Sequence, residues 1–119
     1  MTIHELRALC MALPGTHEKE TWGDAEHAGD VTFRVKDKIY VMTGPDGRGG
    51  ASIRTTIDQQ AELIDTFPGV FRIAPYVGRF GWTDLEFSGI PDAVLREVLE
   101  GAWERTAPKK VAASWRDGR

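Results

Sequence analysis

Arg34, Lys36 and Lys38 stand at alternate positions of one short stretch, and Arg54 follows on a segment that reads as a neighbouring strand. Side chains of one parity share a face of a strand, so this spacing points to a cationic surface able to hold phosphates. The solvated face of an ordinary strand carries the same pattern. A second constellation is Tyr76, Arg79 and Trp82, with Arg72 just upstream. Rings exposed beside a guanidinium form the stacking platform of single-strand binders; buried, the same rings cap a sheet core. From Thr66 to Thr83 the only charged residues are Arg72 and Arg79.

Other residues invite chemistry and are set aside on spacing. Gly44 to Gly50 resembles a phosphate loop in composition, but no Gly-Lys-Ser or Gly-Lys-Thr closes it and the next segment reads as a strand, so a hairpin loop is expected. His17, Glu18, Glu20, Asp24, Glu26 and His27 lack the paired helical spacing of a metalloenzyme and read as a solvated acidic loop. Asp84 and Glu86 share a strand face as a carboxylate pair would, and read as exposed. Ser52, Ser88 and Ser114 sit in no nucleophile elbow, and Cys10 carries no catalytic signature. No catalytic residue, metal site or cofactor is therefore expected.

The elements that must position these groups fit into one domain of 119 residues, enough to bury roughly two thirds of the unfolded surface. Apolar residues at 41% and charged residues at 28% are ordinary for a globular chain. The lone Cys10 makes no internal disulfide. Apolar runs of a few residues and an N-terminus without basic and apolar regions lead to the expectation of a cytoplasmic protein with no membrane contact. The net charge of −3 argues against a strong non-specific nucleic-acid binder. That average conceals segregation, because the predicted strands are cationic and the predicted helices anionic.

Thr2-Ile3-His4-Glu5 is a capping box, so a helix starts at Ile3, with Leu6, Leu9, Cys10 and Leu13 on its apolar face. Leu13-Pro14-Gly15 ends it. His17 to Asp30 is polar and without period and reads as a loop pinned by Trp22. Val31, Phe33 and Val35 alternate as a strand, a tight turn at Lys36-Asp37-Lys38 follows, and Ile39 to Thr43 is the next strand. Ala51 to Arg54 is the third. Thr56 and Gln59 cap a helix whose apolar side carries Ile57, Ala61 and Ile64, with Leu63 and Phe67 beside it, stopped at Pro68-Gly69. Val70 to Ala74 and Phe80 to Phe87 form two more strands, the second with a parity slip near Gly81: Phe80 and Trp82 share one face, Leu85 and Phe87 the other. A helix from Pro91 buries Leu95, Val98, Leu99, Ala102 and Thr106 and ends at Pro108. The expected domain covers 1–108, with 109–119 a flexible basic tail. The fold class is α+β in two layers, a single antiparallel sheet of about five strands with helices on one face, in the order α-β-β-β-α-β-β-α.

One ordered set of residues spans nearly the whole chain: Leu13-Pro14-Gly15, Trp22-Gly23, Thr32 to Tyr40, Phe67-Pro68-Gly69, Ala74-Pro75-Tyr76, Trp82 and a closing helix before Lys109-Lys110. This succession resembles the MmcQ/YjbR family. The resemblance implies a small α+β domain, similar to type III secretion chaperones and sometimes called CyaY-like, with a DNA-binding role through a double-wing arrangement. It implies no catalytic residues.

Three functional expectations follow. The first is a non-enzymatic module binding DNA through Arg34, Lys36, Lys38, Arg54, Arg72 and Arg79 on the strands and hairpin tips. The second is a chaperone-like domain that uses its sheet surface to hold a protein, a peptide or a second copy of itself. The third is a small-ligand pocket walled by Trp22, Tyr76 and Trp82.

Overall fold

The computed structural model describes residues 2–21, 30–44, 50–87 and 90–118. They form six strands and four helices: α1 (Ile3–Ala12), β1 (Thr16–Thr21), β2 (Asp30–Val35), β3 (Lys38–Thr43), β4 (Ala51–Arg54), α2 (Ile57–Thr66), β5 (Phe71–Ile73), β6 (Trp82–Leu85), α3 (Asp92–Thr106) and α4 (Lys109–Asp117). The strands make one open antiparallel sheet in the order β1-β2-β3-β4-β6-β5. Among the described residues no helix is long and apolar enough to cross a membrane.

Register divides the sheet into two faces. Phe33, Val41, Ile53 and Thr83 lie in one row across β2, β3, β4 and β6, and Thr43, Ala51, Leu85 and Phe71 in the next. The apolar members of both rows join Leu6, Cys10, Leu63, Leu95, Val98, Leu99, Ala102 and Trp103 in a single core. Each large side chain fully buried there contributes about 1.5–3 kcal/mol. Met42, Ser52, Asp84 and Arg72 occupy the opposite parity and make the open face, while Thr32 shares their row and is fully buried. A bulge between Phe33 and Arg34 leaves Tyr40 as an extra residue of β3. The bulge turns its ring into the core, where its hydroxyl shares a 2.8 Å hydrogen bond with Thr16 and donates to the Cys10 carbonyl at 3.4 Å.

Both N-caps form at the expected threonines. Thr2 Oγ1 accepts from the Glu5 amide at 3.2 Å and Thr56 Oγ1 from the Gln59 amide at 3.1 Å. Four expectations need correction. The polar stretch after Thr16 begins as an edge strand, β1, so the sheet has six strands; Trp22 and its neighbours to residue 29 lie outside the described residues. Helix α2 buries Gln60 and Leu63, while Ile57 is 51% exposed and Ala61 also faces out. Phe80 belongs to a 3-10 turn, Gly78–Phe80, and not to β6, while Trp82 stays in β6 on the parity of Asp84, opposite to Leu85. The C-terminal residues expected as a tail form α4, whose Trp115 ring packs edge-on against Trp103 at 5.0 Å and whose Arg116 pairs with Glu104 at 2.9 Å. Trp103, absent from the expected stripe, is fully buried and its indole N–H donates to the Pro14 carbonyl at 2.9 Å.

Candidate functional site

Antiparallel pairing brings the end of β2, the start of β3, the end of β4, the end of β5 and the start of β6 to one end of the sheet. Five of the six cations therefore lie toward that end: Arg34 next to last in β2, Lys36 and Lys38 at the β2–β3 turn, Arg54 closing β4, and Arg79 in the 3-10 turn before β6. Arg72 sits one row further in, paired in register with Asp84, and its guanidinium meets Glu86 at 3.2 Å. The carboxylates of Asp30 and Glu86 belong to the far end of the sheet. With strands about 4.8 Å apart, the β2–β3 turn and the β5–β6 loop stand about 14 Å from one another.

The β2–β3 turn is two residues long, with Lys36 at φ 52° and Asp37 at φ 61°. Two consecutive left-handed residues make the turn whose twist matches a hairpin. Asp37 approaches His17 of β1 at 3.5 Å. Arg34 is half-buried and its Nε donates to Thr32 Oγ1 at 3.0 Å. Arg54 is exposed, with its guanidinium 5.8 Å from the Trp82 ring centroid. Arg105 of α3 reaches the same corner and donates to the Arg54 carbonyl at 3.0 Å and to Gln59 Oε1 at 3.2 Å. Burial holds the Arg105 pKa below its usual value, and Glu104 offsets only part of that.

The β5–β6 loop is built differently. Gln60, 5% exposed, sends its amide N–H groups to the carbonyls of Gly78 (3.1 Å) and Trp82 (2.8 Å). Thr55 donates to the Gly81 carbonyl from its backbone at 2.9 Å and from its hydroxyl at 2.7 Å. Gly81 itself lies at φ 98°, and a Cβ there would strike the Thr55 carbonyl. Within the loop, Gly78 N–H donates to the Ala74 carbonyl at 2.9 Å and Ala74 N–H to the Trp82 carbonyl at 3.2 Å. Upon this fixed base the side chains point out. Tyr76 is 95% exposed and held at φ 66°, Phe80 is 64% exposed, and the Arg79 guanidinium lies 4.8 Å from the Phe80 centroid.

The expected grouping of Tyr76, Arg79 and Trp82 is thus divided. Trp82 is 9% exposed with Arg54 beside it, whereas Phe80, which sequence reasoning placed in a strand, stands with Arg79. Among the described residues Tyr76, 95% exposed, walls no cavity, and Trp22 lies outside them. Gln60, Thr55 and Arg105 escaped notice in the sequence; a glutamine three residues before Leu63 on the buried side of α2 was the available signal.

The remaining candidates take ordinary places. Ser52 donates to Asp84, and the two line a niche of about 140 Å³ with Asp30 and Met42 on the open face. Glu18 pairs with Arg7 of α1. Among the described residues no three His, Cys, Asp or Glu side chains come together as a metal site; Asp24, Glu26, His27 and Ser88 lie outside them. Residues 45–49 of the glycine-rich loop are likewise outside, and Gly50 leads into a strand, not a helix. Cys10 is fully buried, and burial pushes its thiol up to about 12.

No curated protein matches the chain. A crystal structure of the Deinococcus radiodurans protein DR2400, whose family domain is DUF419, is similar in fold: TM-score 0.75 at 22% identity, covering 87% of this chain and 77% of that one. The YjbR family model matches residues 11–105, which take in everything from the end of α1 through the sheet to the last turn of α3. With that match over an antiparallel sheet backed by helices, the chain belongs to the YjbR family, the MmcQ/YjbR resemblance read from its ordered motifs.

Proposed function

We propose that this chain is a cytoplasmic, non-enzymatic binding domain that holds nucleic acid, DNA in the first instance, at the cationic end of its sheet. What supports the reading is one observation: Arg34, Lys36, Lys38, Arg54 and Arg79 share that end and outnumber Asp37 of the same turn, while Asp30 and Glu86 belong to the other. Two projecting loops about 14 Å apart present the charge as a bracket around a backbone, not as a flat field. Phosphate contacts of this kind displace condensed counterions, so affinity falls steeply with salt. Fluorescence anisotropy with labelled DNA at two salt concentrations tests it. Binding at low salt that weakens at high salt, and weakens at both with Arg54→Glu and Lys36→Glu, is the expected outcome; no binding at low salt, or binding indifferent to salt, overturns it.

A second reading has an observation of its own. Ile57, Ile73, Tyr76 and Phe80 are more than half exposed, an apolar group suited to a protein, a peptide or a second copy of the chain. It predicts association that responds to Phe80→Ala and is unmoved by Arg54→Glu. Size-exclusion mass and a peptide-library pull-down distinguish the two.

A further inference from the structure

We infer that the β5–β6 loop is a stacking site for an unpaired base, so that the ligand of the cationic end is a single strand. The inference rests on the nucleic-acid reading above and sharpens it. Three independent features of the loop lead there.

The first is display. Tyr76 at 95% and Phe80 at 64% exposure present ring faces to solvent at the edge of the sheet. In a duplex the π-faces of bases are already covered by their neighbours, so exposed rings find their match in bases that are unstacked.

The second is backbone conformation. A tyrosine at φ 66° occupies the left-handed region, which glycine enters freely and bulky residues rarely. The side chain makes almost no packing contact that would repay this conformation, because it is nearly fully exposed. Gln60 and Thr55, together with Gly81, fix the loop from beneath. A strained, well-supported residue whose ring touches little of its own chain is what a preformed contact surface looks like.

The third is charge. No acidic residue occurs from Thr66 to Thr83, and Arg79 lies against Phe80 with Arg54 at the foot of the loop. A base that stacks on Tyr76 or Phe80 therefore carries its phosphate toward guanidinium groups. An acidic partner lacking flat rings would use the charges and leave the rings idle.

The test uses the full chain and two labelled probes of equal length, a thymidine single strand and a mixed-sequence duplex, in anisotropy titrations at low and high salt. Single-strand binding tighter than duplex binding is expected. Phe80→Ala and Tyr76→Gly are each expected to weaken the single strand about 10-fold or more and to leave the salt slope unchanged. Tyr76→Gly separates binding from folding: it relieves the positive φ and removes no buried contact, so its thermal midpoint should equal or exceed that of the natural chain. Tyr76→Phe keeps the ring and should bind as the natural chain does. Duplex binding equal to or tighter than single-strand binding, or unchanged affinity in Tyr76→Gly and Phe80→Ala, overturns the stacking site and leaves the cationic reading standing. Failure of both probes to bind at low salt overturns both.

Discussion

The two loops at the cationic end solve different problems. The β2–β3 turn spans two residues, is charged and exposed, and reaches beyond itself among the described residues only through the His17–Asp37 approach. The β5–β6 loop is longer, apolar at its tip, and supported by donors from Gln60 and Thr55 that are themselves buried. A turn that only has to display charge tolerates looseness, because Coulomb attraction is long-ranged and insensitive to orientation. Stacking demands a ring held at a fixed angle, and that requires a buried polar network beneath it. The sequence separation tells the same story: Gln60 and Thr55 come from before and within α2, far along the chain from the carbonyls they hold.

This contrast breaks hardest at Gly81. Gly81→Ala forces a side chain into a left-handed position and against the Thr55 carbonyl. The cost is about 3 kcal/mol, from the unfavourable φ and the steric shift together, and urea unfolding would show it as a lower midpoint at unchanged slope. Next comes Gln60→Leu, which removes both Gln60 hydrogen bonds and leaves the Gly78 carbonyl with the Gly81 N–H alone and the Trp82 carbonyl with the Ala74 N–H alone. About 2 kcal/mol of stability should be lost, with the amides of residues 75–81 exchanging faster in hydrogen exchange than those of β3. No substitution at the β2–β3 turn should have an effect of that size. Lys36→Gly there is expected to stabilise by about 0.5 kcal/mol, since glycine adopts φ 52° without strain; a thermal midpoint that falls would show that Lys36 makes a contact the turn geometry does not reveal.

A separate effect, set by pH and not by either loop, concerns the core behind the site. Burial pushes the Cys10 thiol up to about 12, and the Tyr40 hydroxyl is raised as well. The folded chain thus keeps a proton that the unfolded chain releases from roughly pH 8.5 upward. Stability is full below that pH and declines as pH rises toward 12. Urea midpoints at pH 7.5 and pH 10 measure the decline, and Cys10→Ala should show a smaller difference between them.

Much of the frame was legible because its signals are local. Thr2 with Glu5, and Thr56 with Gln59, announce helix starts through a side chain and an amide three residues apart. Val31, Phe33 and Val35 announce a strand because its inner face is apolar. β1 was illegible for the converse reason. Its core-side positions are Thr16, Glu18 and Glu20, so only pairing with β2 makes it a strand. α4 was hidden by Pro108 and by its charge, although Val111, Ala112 and Trp115 give it a packing face. At the site, the basic residues and Tyr76 were legible as types. Their meeting at one end depends on strand register, and the exchange of Trp82 for Phe80 depends on a single 3-10 turn. Neither of these is encoded within a window of a few residues.

The most direct test of the central claim is a two-dimensional amide NMR titration of the labelled chain with a thymidine single strand. The account predicts progressive shifts at Lys36 to Lys38, Arg54 and Tyr76 to Gly81, with Gly44, Gly50 and Glu86 at the far end unmoved. Shifts concentrated at that far end, on the helical layer, or nowhere would contradict it.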